Sequence, residues 1–189
     1  MKVIDFTNTD IEKACEALIL QLDCRFDLVV GIAEGGRLIA ECIAQKLHLP
    51  FLPVIRQRSL TQTKYHVKKI LKYIPKKILN LIRITENRCL EFLSKRRKNE
   101  EKTDNIHILS NDLSFFKNPY IKNILLVDDA IDSGSTVSKV EKFLLTKNNH
   151  WNIKVAVITQ TFNQPMRKAD YQLYNKVLIR FPWSNDFKS

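Results

Sequence analysis

Short apolar runs alternate with amphipathic stretches along most of this chain. "TDIEKACEALILQL" opens on a capping residue, Asn8 or Thr9, and repeats its apolar positions at helical spacing. "FDLVVGIAEGG" is an apolar run ending in glycines, which predicts a buried strand and a turn. "RLIAECIAQKLHL" predicts the next helix, stopped by Pro50. "FLPVIRQR" predicts a second strand, with Pro53 pointing to an edge position or a late start. "NIHIL", "NILLVDD", "IKVAVITQ" and "KVLIRFPW" are further strand candidates, and "STVSKVEKFLLTKNN" is a helix opened by Ser and Thr and closed by Asn. Alternating strands and helices predict an α/β domain: a central parallel sheet with helices on both faces.

Residues 64–102 break the rhythm. Pro75 divides the segment into two helical pieces. In the second, Ile78, Leu81, Ile82, Cys89, Phe92 and Leu93 fall on one stripe, which predicts packing against the domain. Charge separates this segment too. The net +11 resolves into 7 basic against 8 acidic residues in 1–63, 13 against 4 in 64–102, and 11 against 8 in 103–189. One segment carries most of it, so a whole-domain nucleic-acid surface is not implied. Three readings stand for this segment: a helical hairpin with a solvated basic face, a basic cover over an anionic ligand, or a contact with a membrane surface or nucleic acid.

The length of 189 residues fits a single domain, with 57–104 as a basic, mainly helical insertion. No run of about 18 apolar residues predicts a membrane span. "MKVIDFTNTDIEKAC" has acids where a secretory leader needs apolar residues, so a cytoplasmic location is expected. Cys15, Cys24, Cys42 and Cys89 form no C-x-x-C pair and no metal spacing with the four histidines, which reads as reduced structural thiols.

The chemistry concentrates in "NILLVDDAIDSGSTV", residues 123–137. Ligands of parallel sheets bind beyond the carboxyl ends of the strands, and Asp128 and Asp129 emerge there. Strand side chains alternate, so the two carboxylates point in different directions. They suit two neighbouring hydroxyls, a metal, or one of each. "DSGST" then turns into a helix, where converging backbone N–H groups and the helix N-terminus form a phosphate cradle. Acids for hydroxyls beside a cradle for phosphate describe a sugar phosphate. The competing account, an N-capped turn with exposed acids, leaves two like charges ending a buried strand without a purpose.

The run "ILLVDDAIDSGST" resembles the phosphoribosyl-pyrophosphate (PRPP) signature of the type I phosphoribosyltransferases, with Ala130 where that pattern has a larger aliphatic residue. The resemblance implies that Asp128 and Asp129 hold the ribose hydroxyls with Mg²⁺ nearby. It implies that Asp132, Ser133, Gly134, Ser135 and Thr136 bind the 5-phosphate. Asp132 matches the family's acid beside the acceptor base, a candidate proton acceptor. "VVGIAEGGRLIAECIA" is similar to the family's pyrophosphate loop, where a strained peptide turns its N–H to the ligand. Gly35 and Gly36 match the loop's glycines, Glu34 stands where the family has a basic residue, and Arg37 follows.

"ADYQLYNKVLIRFPWS" resembles the tail of the hypoxanthine, guanine and xanthine enzymes. That likeness marks Phe162 and Trp183 as candidate stacking surfaces for a base. The lysine that reads the 6-oxo group in those enzymes has no counterpart between Lys154 and Lys168; Thr161 or a neighbour takes its place. Residues 57–104 occupy the place of the family's hood and mobile loop, with Lys64 and Tyr65 as candidate pyrophosphate or phosphate contacts. The expected reaction transfers phosphoribose from PRPP to an acceptor nitrogen, a purine-type base foremost, and releases pyrophosphate. The alternatives are a regulator of the same fold that binds PRPP or a nucleotide, and a transferase with a non-nucleobase acceptor. Mg²⁺ is the expected cofactor and a dimer the expected assembly.

Overall fold

The computed structural model describes residues 1–56, 75–96, 106–109, 114–184, 186 and 187. Its eight described strands are β1 (Lys2–Asp5), β2 (Leu28–Ile32), β3 (Phe51–Arg56), β4 (Ile106–Ile108), β5 (Asn123–Ile131), β6 (Asn152–Gln160), β7 (Tyr171–Asn175) and β8 (Val177–Arg180). The α-helices among the same residues are α1 (Asn8–Ile19), α2 (Ala33–Leu47), α3 (Lys76–Arg96) and α4 (Ser135–Lys147). A six-stranded sheet runs in the order β4-β3-β2-β5-β6-β7, and β1 pairs with β8 in a separate parallel ribbon.

The architecture is the expected α/β sheet with helices on both faces. One strand departs from it, since β4 runs antiparallel to β3. Alternation along the central strands divides the core in two. Val29, Leu125, Val127, Ala156 and Ile158 face α1 and α2, together with Phe6, Ile179 and Phe181 from the ribbon. Leu28, Val30, Ile124, Leu126, Val155 and Val157 face the other way, where α4 contributes Val137, Val140 and Leu144.

Several boundaries differ from expectation for local reasons. The first helix is capped by Thr7 rather than Asn8 or Thr9, because Thr7 and Asp10 form a reciprocal capping box. Pro53 lies in an inner strand. Its carbonyl accepts Leu109 N–H at 3.0 Å, and its missing N–H denies the reciprocal bond, so proline ends the β3–β4 pairing instead of marking a sheet edge. The strands β1 and β7 are additions to the expected set.

The largest correction concerns α3. Its expected core stripe faces outward: Leu81 is 65% exposed and Phe92 56%, with Ile78, Ile82, Cys89 and Leu93 also exposed or half-buried. The opposite face docks. Leu79 is buried, Asn80 accepts from Arg180 at 2.7 Å, Arg83 pairs with Asp186 at 3.3 Å, and Glu91 accepts from Asn163 N–H at 2.9 Å. Asn80, Arg83, Asn87 and Glu91 are spaced three, four and four residues apart, one helical face. Polar partners on the domain, chiefly the buried Arg180 with Asp5 and Asp186, select this face over the apolar one. No helix among the described residues is long and apolar enough to cross a membrane.

Candidate active site

Two segments distant in sequence meet at the carboxyl end of β5. The strand runs on through the acids to Ile131, still paired with β6, so Asp128 and Asp129 sit within β5 rather than after it. Pairing with β2 stops earlier, at Val127 opposite Gly31, and this opens the β2 side of the acids. The first turn of α2 fills that side. A Cβ placed on Gly35 would lie 2.1 Å from Asp129 Oδ2, and one on Gly36 would lie 2.7 Å from both Asp128 Cα and Asp128 Oδ1. The glycine pair is therefore required for α2 to seat on the acids.

This corrects the expected strained loop. Residues 33–36 form the first turn of α2, and the described peptide bonds are all trans. Glu34 and Arg37 stand exposed on that turn. The acid at 34 suits the positive end of the helix.

Asp129 is held from the C-terminal side. Trp183 Nε1 donates to Asp129 Oδ2 at 2.9 Å, and the Trp183 ring stacks flat on Phe181 with centroids 4.9 Å apart. Trp183 thus positions an acid, with one ring face already covered. Phe162 is 2% exposed, so its ring belongs to the interior and offers no stacking face. Desolvation pushes the Asp129 carboxyl above its ordinary range, and the Trp183 hydrogen bond opposes this only in part. Among the described residues this carboxyl accepts from a neutral indole and the Ala130 amide, while Asp129 N–H donates to Asp128 Oδ1 at 2.9 Å.

The loop after the acids is built as an anion cradle. Gly134 adopts φ 73° and caps α4 without a side-chain bond of its own, Ser135 N–H reaches Ser133 Oγ at 3.4 Å, and such a helix N-terminus suits an anion. The loop is pinned from behind. Ser133 carbonyl accepts Met166 N–H at 2.8 Å, and a Cβ on Gly134 would meet Arg167 backbone at 2.6 Å. Arg167 in turn binds Glu141 and Asp170 at 3.0 and 2.8 Å. Ser133, Ser135 and Thr136 line this turn half-buried, and Asp132 is exposed beside it.

Asp132 has partners that the sequence did not disclose. The Thr161 hydroxyl donates to Asp132 Oδ1, and Asn87 Nδ2 from α3 reaches the same oxygen at 3.4 Å and Thr161 Oγ1 at 3.2 Å. Nothing in residues 64–102 distinguishes Asn87 from its polar neighbours; only its place on the docked face of α3 does. Lys64 and Tyr65 lie outside the described residues. Among the described residues no group of three or more His, Cys, Asp or Glu side chains is arranged to hold a metal ion.

A family model, "Phosphoribosyl transferase domain", matches residues 6–186. The chain belongs to the phosphoribosyltransferase family. It is a PRPP-dependent transferase by that membership. Solved structures of similar fold include a purine phosphoribosyltransferase from Pyrococcus horikoshii Ot3, at 18% identity and TM-score 0.62, covering 100% of this chain and 98% of that one. A Helicobacter pylori xanthine-guanine-hypoxanthine phosphoribosyltransferase aligns at 16% identity and TM-score 0.61, over 96% of this chain and 92% of its own. A hypothetical protein from Neisseria gonorrhoeae with bound ppGpp aligns at 20% identity and TM-score 0.56, over 96% of this chain and 89% of its own. No curated protein matches the sequence.

Proposed function

We propose that this phosphoribosyltransferase moves the 5-phosphoribosyl group of PRPP onto a ring nitrogen of a purine-type nucleobase. The observation that carries the reading is the convergence of Gly35-Gly36, the Asp128–Asp129 pair and the Gly134 turn on one end of β5. The acids suit the ribose hydroxyls and the turn suits the 5-phosphate. Arg37, exposed near the start of α2, is the candidate cation for the pyrophosphate, with Glu34, Gly35 and Gly36 as its neighbours in the chain.

Bond-making from the acceptor nitrogen to C1 accompanies departure of pyrophosphate, with positive charge developing on the ribose ring. Fixed carboxylates below the ring stabilise that charge, and Asp132 takes the proton released by the base. Asp129 is desolvated, and its side-chain donor among the described residues is uncharged, a setting that fits Mg²⁺ entering with the substrate. The ion would be held largely by PRPP oxygens, beside Asp128 and Asp129, and would neutralise the leaving group. Water competes for C1, so a cover over the site has a chemical purpose; α3 reaches Asp132 from that side.

The test is pyrophosphate release from PRPP and Mg²⁺ across a panel of acceptors, with the Asp128→Asn, Asp129→Asn double variant as control. The variant should lose donor binding while keeping its fold. Equal PRPP affinity in both proteins would remove the assigned role of the acids. A second reading, a nucleotide-binding regulator, draws on the ppGpp-bound protein of similar fold and on the tethering of Asp132 by Thr161 and Asn87. It requires PRPP or nucleotide binding without turnover on any acceptor.

A further inference from the structure

The hydrogen bonds around Asp132 bear on the kind of base the site takes, given that the purine-acceptor reading holds. Asn87 is 5% exposed and Thr161 2%. The two N–H bonds of the Asn87 amide go to Asp132 Oδ1 and Thr161 Oγ1, and the Thr161 hydroxyl goes to Asp132 Oδ1. This fixes the amide's orientation, because turning it over would set its carbonyl against a carboxylate oxygen. Every side-chain donor of the cluster is then spent internally. Two oxygens are left among the described residues: Asn87 Oδ1, buried and without a partner, and Asp132 Oδ2, which takes no side-chain bond. Both accept and neither donates.

We propose that Asn87 is a specificity-determining residue, and that this cluster selects an acceptor base bearing an exocyclic amino group on the ring edge facing Asp132 over the corresponding oxo base. An amino group supplies the donor that Asn87 Oδ1 lacks. An oxo group would bring a third acceptor to two unsatisfied ones, in a place where burial makes the mismatch costly. Asn87 Oδ1 is buried, so the base reaches it through a small shift of α3. Such a shift stretches the buried Asn87–Thr161 bond and the part-buried one to Asp132, while the Arg180 anchor lies at the other end of α3.

Titration calorimetry with adenosine and inosine 5′-monophosphates tests this, since the two share the sugar phosphate and differ between amino and oxo at one ring carbon. The amino nucleotide should bind on the order of 10–100-fold more tightly, the range expected for one unmet buried polar group. Asn87→Leu should bring the ratio close to one by weakening the amino nucleotide alone. Equal wild-type affinities, or a preference for the oxo nucleotide, would overturn the inference while leaving the sugar-phosphate site standing. So would an Asn87→Leu protein that loses both nucleotides equally, because that is what a merely structural residue does. If neither nucleotide binds wild-type protein, the purine-acceptor reading itself fails and takes the inference with it. The wild-type comparison needs no variant to fold.

Discussion

The seating of α2 on the acids is the feature most open to attack by a single atom. In Gly35→Ala the new methyl would lie 2.1 Å from Asp129 Oδ2, 2.6 Å from Trp183 Nε1 and 2.8 Å from Asp129 Cγ, against the 3.4 Å of ordinary contact. The obstruction is more than 1 Å deep, but it consists of side-chain ends. Asp129 and the indole can give way together at an overpacking cost of about 1–3 kcal/mol. Alanine in a helix returns about 0.5–1 kcal/mol relative to glycine. The net loss should be at most about 2.5 kcal/mol, a fall of up to about 10 °C in melting temperature for a domain of this size. The displaced carboxylate is another matter, because a 1 Å error in a positioning group costs on the order of 100-fold in function. Calorimetric titration with PRPP and Mg²⁺, beside a thermal melt, should therefore show a protein that folds and binds its donor about 10–100-fold more weakly. Gly36→Ala should behave differently. Its Cβ meets Asp128 Cα at 2.7 Å and the Val127 carbonyl at 2.9 Å, so helix and strand must part, and stability should fall further than at Gly35. Unchanged melting and affinity within about twofold in Gly35→Ala would refute the placement of α2 over the acids.

Asp129→Asn should trade donor binding for stability. The carboxyl ionises near 3.8 in the unfolded chain and above that in the fold, so the unfolded chain releases its proton first as pH rises, and Asp129 opposes folding from there upward. The advantage of the variant over wild type should therefore grow as pH rises from about 4 toward 7 in denaturant titrations; a gap that shrinks with rising pH would contradict the desolvation argument. Trp183→Phe keeps a ring over Phe181 but removes the N–H to Asp129, so PRPP affinity should drop about 5–20-fold with little loss of stability. If the binding isotherm does not move, the indole is only a packing group. Arg180→Met takes the shared guanidinium from Asp5 and Asp186, which keep Lys76 and Arg83, and frees Asn80 on α3, at a cost of about 1–3 kcal/mol read from urea midpoints. A loss under about 1 kcal/mol would mean that α3 is anchored elsewhere.

Local and periodic features were legible in the order of residues alone. The alternation of buried strands and amphipathic helices specified the α/β sheet, because burial on both faces demands unbroken apolar runs such as "ILLV" at 124–127 and helices to cover them. The contiguous stretch from Asp128 to Thr136 announced the site because its parts lie close together along the chain. Contacts with partners far along the chain were legible only after folding. Trp183 meets Asp129 across 54 residues, and Asn87 meets Thr161 across 74. The same holds for α3, whose apolar stripe predicted one inward face while the charges of Arg180, Asp5 and Asp186 selected the other. Periodicity reports which residues share a helix face. Which face turns inward is settled by the surface it meets, and that surface exists only once the chain has folded.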